Sequence, residues 1–227
     1  MSSRKANTTI LILILLLIGA IFLSLSTGEI KGWNEMVILH IRLPRVLLGL
    51  VVGIALAAAG TVYQGLLRNP LADPYILGTS SAGTFGALLA AILNYHFSIT
   101  VYLFSIGAAF LSMMLVYRIA SLQGRTPVQT LILAGVISST FFGALVLLLF
   151  TLFRRESFSI LFFLLGSLSG TSSPVLIGVS GILVFIGIAT SLFLARDLDA
   201  MSSGEEDALH LGIPVEQIKQ ILFFSSS

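Results

Sequence analysis

Six apolar runs, residues 8–26, 44–66, 75–94, 99–119, 127–151 and 174–195, constrain this chain more than any motif in it. A bilayer core of about 30 Å takes roughly 20 helical residues, so each run is long enough to span one. The predicted fold is an all-α membrane protein, a polytopic helix bundle with about six transmembrane helices. Composition agrees: 56% hydrophobic and 10% charged residues, with a mean hydropathy of +1.05, exceed what a water-soluble core of this length needs. A shorter apolar piece, Phe158–Leu168, runs into the Gly/Ser-rich "GSLSGTSSP" and is expected to lie at the interface or re-enter the membrane. The first run follows Arg4 and Lys5 and lacks a small-x-small cleavage site after its apolar stretch, which favours a retained helix over a signal peptide.

The charges exclude several functions. Twelve basic and 10 acidic residues, net +2, fall almost entirely between the runs and form no basic patch for nucleic acid. With no cysteine, disulfides, thiolate catalysis and Cys-type zinc sites are ruled out, and His40, His96 and His210 stand alone, so neither a metal nor a cofactor is expected. None of Lys5, Lys31 and Lys219 follows a Gly-rich loop in the GxxxxGK[ST] sense, which denies the chain that route to ATP. The "GTSS" at residues 78–81 has no histidine within a membrane run to activate a serine. Ion-coupled carriers usually hold an ionisable group near the midplane and often show inverted repeats. Neither is visible here, so a secondary transporter is the weaker alternative and the energy source is expected outside the chain.

Orientation follows the placement of Lys and Arg. With the N-terminus cytoplasmic, Arg4, Lys5, Arg68, Arg118, Arg125, Arg196 and Lys219 lie inside, against Lys31, Arg42, Arg45, Arg154 and Arg155 outside. Arg42 and Arg45, in "RLPR", therefore put positive charge on the unfavoured face, either as anchors reaching lipid headgroups or as contacts for a partner. Within the runs, Gly49, Gly53 and Gly60, then Gly78 and Gly86, suit close helix packing or the lining of a pathway. Between the second and third runs, "LRNPLADPYILG" (residues 67–78) is a tight corner containing Asn69, Pro70, Asp73 and Pro74. Asp73 can cap the free N–H groups of a helix that Pro74 opens.

Three segments make the chain recognisable. The stretch "RLPR...GLVVGIALAAAGTVYQGLLRNPLADPYILGTSSAG", then "LILAGV" at 131–136 and "GEEDALHLGIP" at 204–214, closely resemble the FecCD-type permeases, the membrane subunits of bacterial importers for iron-siderophores, haem and cobalamin. The resemblance implies a multi-pass permease of the bacterial inner membrane that pairs with a second permease subunit, as homo- or heterodimer. It also implies two ATPase subunits on the cytoplasmic face and an extracytoplasmic substrate-binding protein. Arg42 and Arg45 would meet carboxylates of that binding protein, and guanidinium forks suit such contacts. Gly204, Glu205, Glu206, Ala208, Leu209, Leu211 and Gly212 would belong to coupling helices, about residues 203–222, that fit the ATPase.

From the residues themselves, Ser203 with Glu206 forms a capping box, acidic residues favour the first turn, and Gly212 before Pro214 ends it. The cargo is not encoded in such a pathway: iron-siderophore is the expected class, with haem, cobalamin and oxyanions open. The resemblance further implies ten membrane helices and, after the seventh, a Gly-rich segment with a Pro-His pair. A sequence ending "KQILFFSSS" is thus expected to be an incomplete permease, whether fragment, truncated product or half of a split pair.

Overall fold

The computed structural model describes residues 3–27, 35–93, 98–121, 124–153, 166, 168 and 173–227. The regular elements among them are helical: α1 (Ser3–Ser26), α2 (Glu35–Leu66), a 3-10 turn (Pro74–Leu77), α3 (Thr79–Ile92), α4 (Ser98–Ala120), α5 (Val128–Leu152), α6 (Pro174–Phe193), α7 (Ala195–Ser203), α8 (Glu205–His210) and α9 (Val215–Ser226). Five of them, α1, α2, α4, α5 and α6, are long and apolar enough to cross a membrane. Lys31, Gln123, Arg154, Arg155 and nearly all of Phe158–Leu168 lie outside the described residues.

The third apolar run is the one that differs from expectation. Asp73 Oδ1 accepts the Tyr75 N–H at 2.7 Å and Pro74 opens a 3-10 turn, which Gly78 ends in the left-handed region at φ 78°. The α-helix restarts only at Thr79 and has 14 residues, about 21 Å at 1.5 Å per residue. A backbone break at a glycine thus divides a run whose hydrophobicity is continuous.

Chain contacts define two units, residues 1–54 with 168–183 and residues 55–167 with 184–227. In the first, none of the membrane-length window of α1 is buried within the protein, which leaves lipid to cover a helix that is apolar on every face. The start of α2 is wound as a π-helix over Ile38–Arg42, with the Leu43 N–H reaching Ile38 O. Pro44 explains the wider turn, because it offers no N–H and its ring crowds the carbonyl four residues earlier. Among the described residues, an ideal Cβ on Gly49 would meet only Leu168 Cδ1, at 3.7 Å, and one on Gly53 would meet nothing within 4 Å.

The second unit holds the core. On α9, Val215, Ile218, Lys219, Leu222 and Phe223 are buried, an i, i+3, i+4, i+7, i+8 stripe. Phe223 packs against Tyr117 at 5.6 Å between ring centroids and edge-on to Tyr63 at 6.4 Å, within the range where aromatic pairs attract beyond their buried area. The Tyr63 hydroxyl bonds that of Ser227. Helices α3, α4 and α5 approach closely. A Cβ on Gly86 would overlap the Phe104 carbonyl oxygen, and one on Gly135 would lie 2.9 Å from Ile76 O. Hydroxyl pairs Ser112–Ser138 at 2.8 Å and Ser81–Ser139 at 3.2 Å join the same helices, the small-residue and hydroxyl packing that suits lipid. A Cβ on Gly78 would stand 2.8 Å from Ser139 N, whereas one on Gly60 would meet the Pro74 ring in ordinary contact, Cδ at 3.9 Å and Cγ at 4.0 Å.

Candidate functional site

The polar segments of the second unit converge on one cluster. Helix α2 ends with Asn69 N–H on Gln64 O and Arg68 N–H on Gly65 O, the paired bonds of a Schellman cap. Its left-handed position is Arg68, at φ 48°, where glycine would carry no steric penalty. The chain then folds back on itself: Asn69 Oδ1 accepts the Leu71 N–H at 3.0 Å, Pro70 and Leu71 are exposed, and Asp73 caps the 3-10 turn.

Helix α8 ends with the same pair of bonds, Ile213 N–H on Ala208 O and Gly212 N–H on Leu209 O, with Gly212 itself left-handed at φ 81°. Its start departs from expectation. Ser203 is the last residue of α7, its hydroxyl 3.4 Å from Asp199 O, and the α8 N-cap is Gly204 with no side-chain cap. The Ser203–Glu206 capping box does not form, because α7 runs on after α6 and keeps Ser203 helical. Glu205, Glu206 and Asp207 do occupy the first turn of α8, where the free N–H groups favour negative charge.

Of the residues singled out from the sequence, Ala208 turns into the core and Leu209 and Leu211 turn out, 53% and 73% exposed, beside exposed Glu206, Asp207 and His210. Glu205 faces Lys219, a residue that sequence reasoning counted but gave no role. Lys219 Nζ donates to Glu205 Oε2 at 2.7 Å, Thr126 O at 3.0 Å and Glu216 Oε1 at 3.3 Å, which uses all three ammonium donors. Glu216 Oε2 accepts the Thr126 N–H at 3.0 Å, and Glu205 Oε1 pairs with Arg68 Nη2 at 3.2 Å. Two cations and two carboxylates balance, and the Lys219 side chain is 3% exposed. The available signal was positional: Lys219 occupies the apolar stripe of α9.

In the first unit, Arg42 and Arg45 have different surroundings. Arg42 is 9% exposed and its Nη1 donates to Leu25 O at 2.6 Å, while Arg45 is exposed. Leu25 lies in the last turn of α1, whose carbonyls have no partner within the helix, so Arg42 caps α1 from α2. Elsewhere in the second unit, a cleft of about 420 Å³ opens between Ala55, Ala59, Pro74, Thr79, Ser80, Thr84, Ser105 and Ser227. Leu56, Tyr75 and Ile106 also line it, so its wall is apolar and hydroxyl-bearing, with no acidic or basic side chain. Among the described residues no group of histidines and carboxylates is placed to hold a metal ion.

Comparison with known proteins gives a consistent result. Residues 5–227 match the FecCD transport family. The chain is 37% identical over 193 residues to the cobalamin import system permease protein BtuC of Halobacterium salinarum, covering 85% of this chain and 52% of that protein. It is 38% identical over 211 residues to the ABC transporter permease protein YvrB of Bacillus subtilis, covering 89% and 58%. It is 35% identical over 219 residues to the hemin transport system permease protein HmuU of Yersinia pestis, covering 92% and 65%. The chain therefore spans about half to two thirds of the length of these relatives. Among solved structures, a metal-chelate type ABC transporter in an inward-facing conformation superposes with a TM-score of 0.80 at 32% identity, over 94% of this chain and 70% of that one.

Proposed function

This chain belongs to the FecCD transport family, and from that premise we propose that it forms the membrane-spanning permease part of an ATP-driven importer in the bacterial inner membrane. Its cargo is an iron-siderophore or related metal chelate handed over by a substrate-binding protein. A second permease subunit completes the pathway, and hydrolysis takes place on two separate ATPase subunits. The N-terminus and the cluster around Lys219 are cytoplasmic, and the Arg42–Arg45 turn faces outward.

One observation carries this reading. Helix α8 and its C-cap present Leu209 and Leu211 to solvent beside three charged or titratable side chains, while Ala208 anchors the opposite face of the helix. Apolar side chains held exposed within a polar, non-spanning segment fit a partner surface better than lipid or water. We assign that partner as the ATPase. Outside, Arg45 offers its guanidinium to a carboxylate of the binding protein, with Arg42 fixing the turn that presents it. The largely apolar cleft, with hydroxyls but no acidic or basic side chain in its wall, agrees with a cargo whose charge is enclosed by its chelator, and the binding protein makes the selection.

Leu209→Asp in the complete importer tests the assignment. It places a charge on the docking face without touching the core, and should weaken co-purification of the ATPase by at least about tenfold, the size of a lost interface anchor. Wild-type association and wild-type ATPase stimulation by loaded binding protein would remove α8 from the interface.

A further inference from the structure

Docking alone does not move a membrane helix; the docked element must also be tied to it. Helix α8 is joined to the chain through Gly204 and through the left-handed turn at Gly212, and Ala208 is its only buried residue. It packs against its chain neighbours α7 and α9, and its link to segments distant in sequence is ionic. Glu205, the first residue of α8, binds Lys219 of α9 through one oxygen and Arg68 at the end of α2 through the other. Lys219 and Glu216 in turn clasp the Thr126 peptide from both sides, one on its carbonyl and one on its N–H, two residues before α5 begins.

A charge on a buried apolar face is retained only when fully paired, and here the pairing connects three segments distant in sequence. Arg68 points the same way. It keeps an arginine at a left-handed position where glycine would fit without strain, and its guanidinium contacts Glu205 from there.

Resting on the assignment of α8 to the ATPase, we propose that Glu205 is the positioning residue through which movement of α8 reaches α2 and α5. Its two ion pairs make α8, the α2 cap and the Thr126 clasp move together. Without them α8 follows the ATPase while the membrane helices lag behind.

The test uses the complete importer with its ATPase, and single cysteines at Gln64 of α2 and Gln129 of α5, both exposed, in a sequence that has none of its own here. The readout is the change in their labelling rate by a thiol reagent when a non-hydrolysable ATP analogue is added. In Glu205→Gln, which keeps the shape and removes the charge, the ATPase should still co-purify while the nucleotide-driven change shrinks about tenfold, as when one charge-assisted contact stops favouring one of two states. Arg68→Gly should shrink it too, although the backbone there relaxes and the permease unfolds no more easily; a merely structural arginine would show no such split.

Variants that keep the wild-type change, or a wild-type permease whose labelling ignores nucleotide at both positions, overturn the proposal. Should Glu205→Gln fail to assemble, Arg68→Gly decides on the same measurement. Failure of the ATPase assignment is seen separately, as wild-type ATPase association in Leu209→Asp.

Discussion

Two pairs of cations have different surroundings in the structure: Arg42 and Arg45, neighbours in the sequence, and Arg68 and Lys219, brought together by the fold. Lys219 and Arg68 meet the carboxylates of Glu205 and Glu216 in a balanced cluster. Arg42 and Arg45 stand apart from that cluster: Arg42 caps the end of α1, and Arg45 is exposed and makes no ion pair among the described residues. Cations neutralised from within hold segments of their own chain together, whereas an exposed cation without an acid is available to a partner. The first pair is held within its own chain, whereas in the second Arg42 is held by the Leu25 carbonyl and Arg45 is left exposed.

The largest break in that comparison should come from Lys219→Met. Methionine fits the apolar stripe of α9, but Glu205 and Glu216 would then face each other with only Arg68, 41% exposed, to offset them. Removing one partner of a buried ion pair typically costs about 3–5 kcal/mol, so thermal unfolding of the full-length permease in detergent should begin well below wild type. Adding Glu216→Gln to Lys219→Met should recover part of the loss, because a neutral amide can stay beside the Thr126 peptide. A double variant no more stable than Lys219→Met would mean that charge is not what Lys219 contributes.

Arg42→Ala comes next. It leaves the Leu25 carbonyl at the end of α1 without its charged donor, and hydrogen bonds to charged groups contribute about 1.5–3 kcal/mol. The expected result is a smaller loss of thermal stability, accompanied by faster proteolysis at the α1–α2 connection. Unchanged proteolysis there would show that α1 is held by other contacts.

How much of this could be read from the sequence depends on the kind of interaction. Hydrophobicity is summed over many residues, so the runs at 8–26, 99–119, 127–151 and 174–195 coincide closely with α1, α4, α5 and α6. The run at 75–94 does not correspond to one helix, because the backbone dihedral at Gly78 decides its break and is silent in any hydropathy sum. The Asp73 cap was legible because it is local, a side chain reaching two residues along the chain. The Ser203–Glu206 capping box was equally local in appearance, yet the end of α7 took Ser203 first. The Lys219 cluster joins residues up to 137 positions apart, and no spacing rule covers such pairs; only the intrusion of a lysine into the α9 stripe hinted at it. Among the glycines, local sequence does not distinguish Gly86, pressed against Phe104, from Gly53, which has open space beside it.

Arg45→Glu should have the smallest effect on the fold and the sharpest on recognition. The side chain is exposed and makes no ion pair among the described residues, so reversing its charge should change stability by no more than about 0.5 kcal/mol, the usual range for surface sites. If Arg45 meets a carboxylate of the binding protein, the same change turns an attraction into a repulsion, and affinity should fall by about tenfold or more. Because such contacts act largely by steering, the loss should appear in the association rate and diminish as salt is raised. Arg42→Ala separates the two roles from the other direction: its loss of affinity should follow its loss of stability and be insensitive to salt. An Arg45→Glu permease that binds its partner at the wild-type rate in low salt would leave Arg45 as an anchor to lipid headgroups, and the turn would then hold one arginine for the α1 cap and one for the membrane.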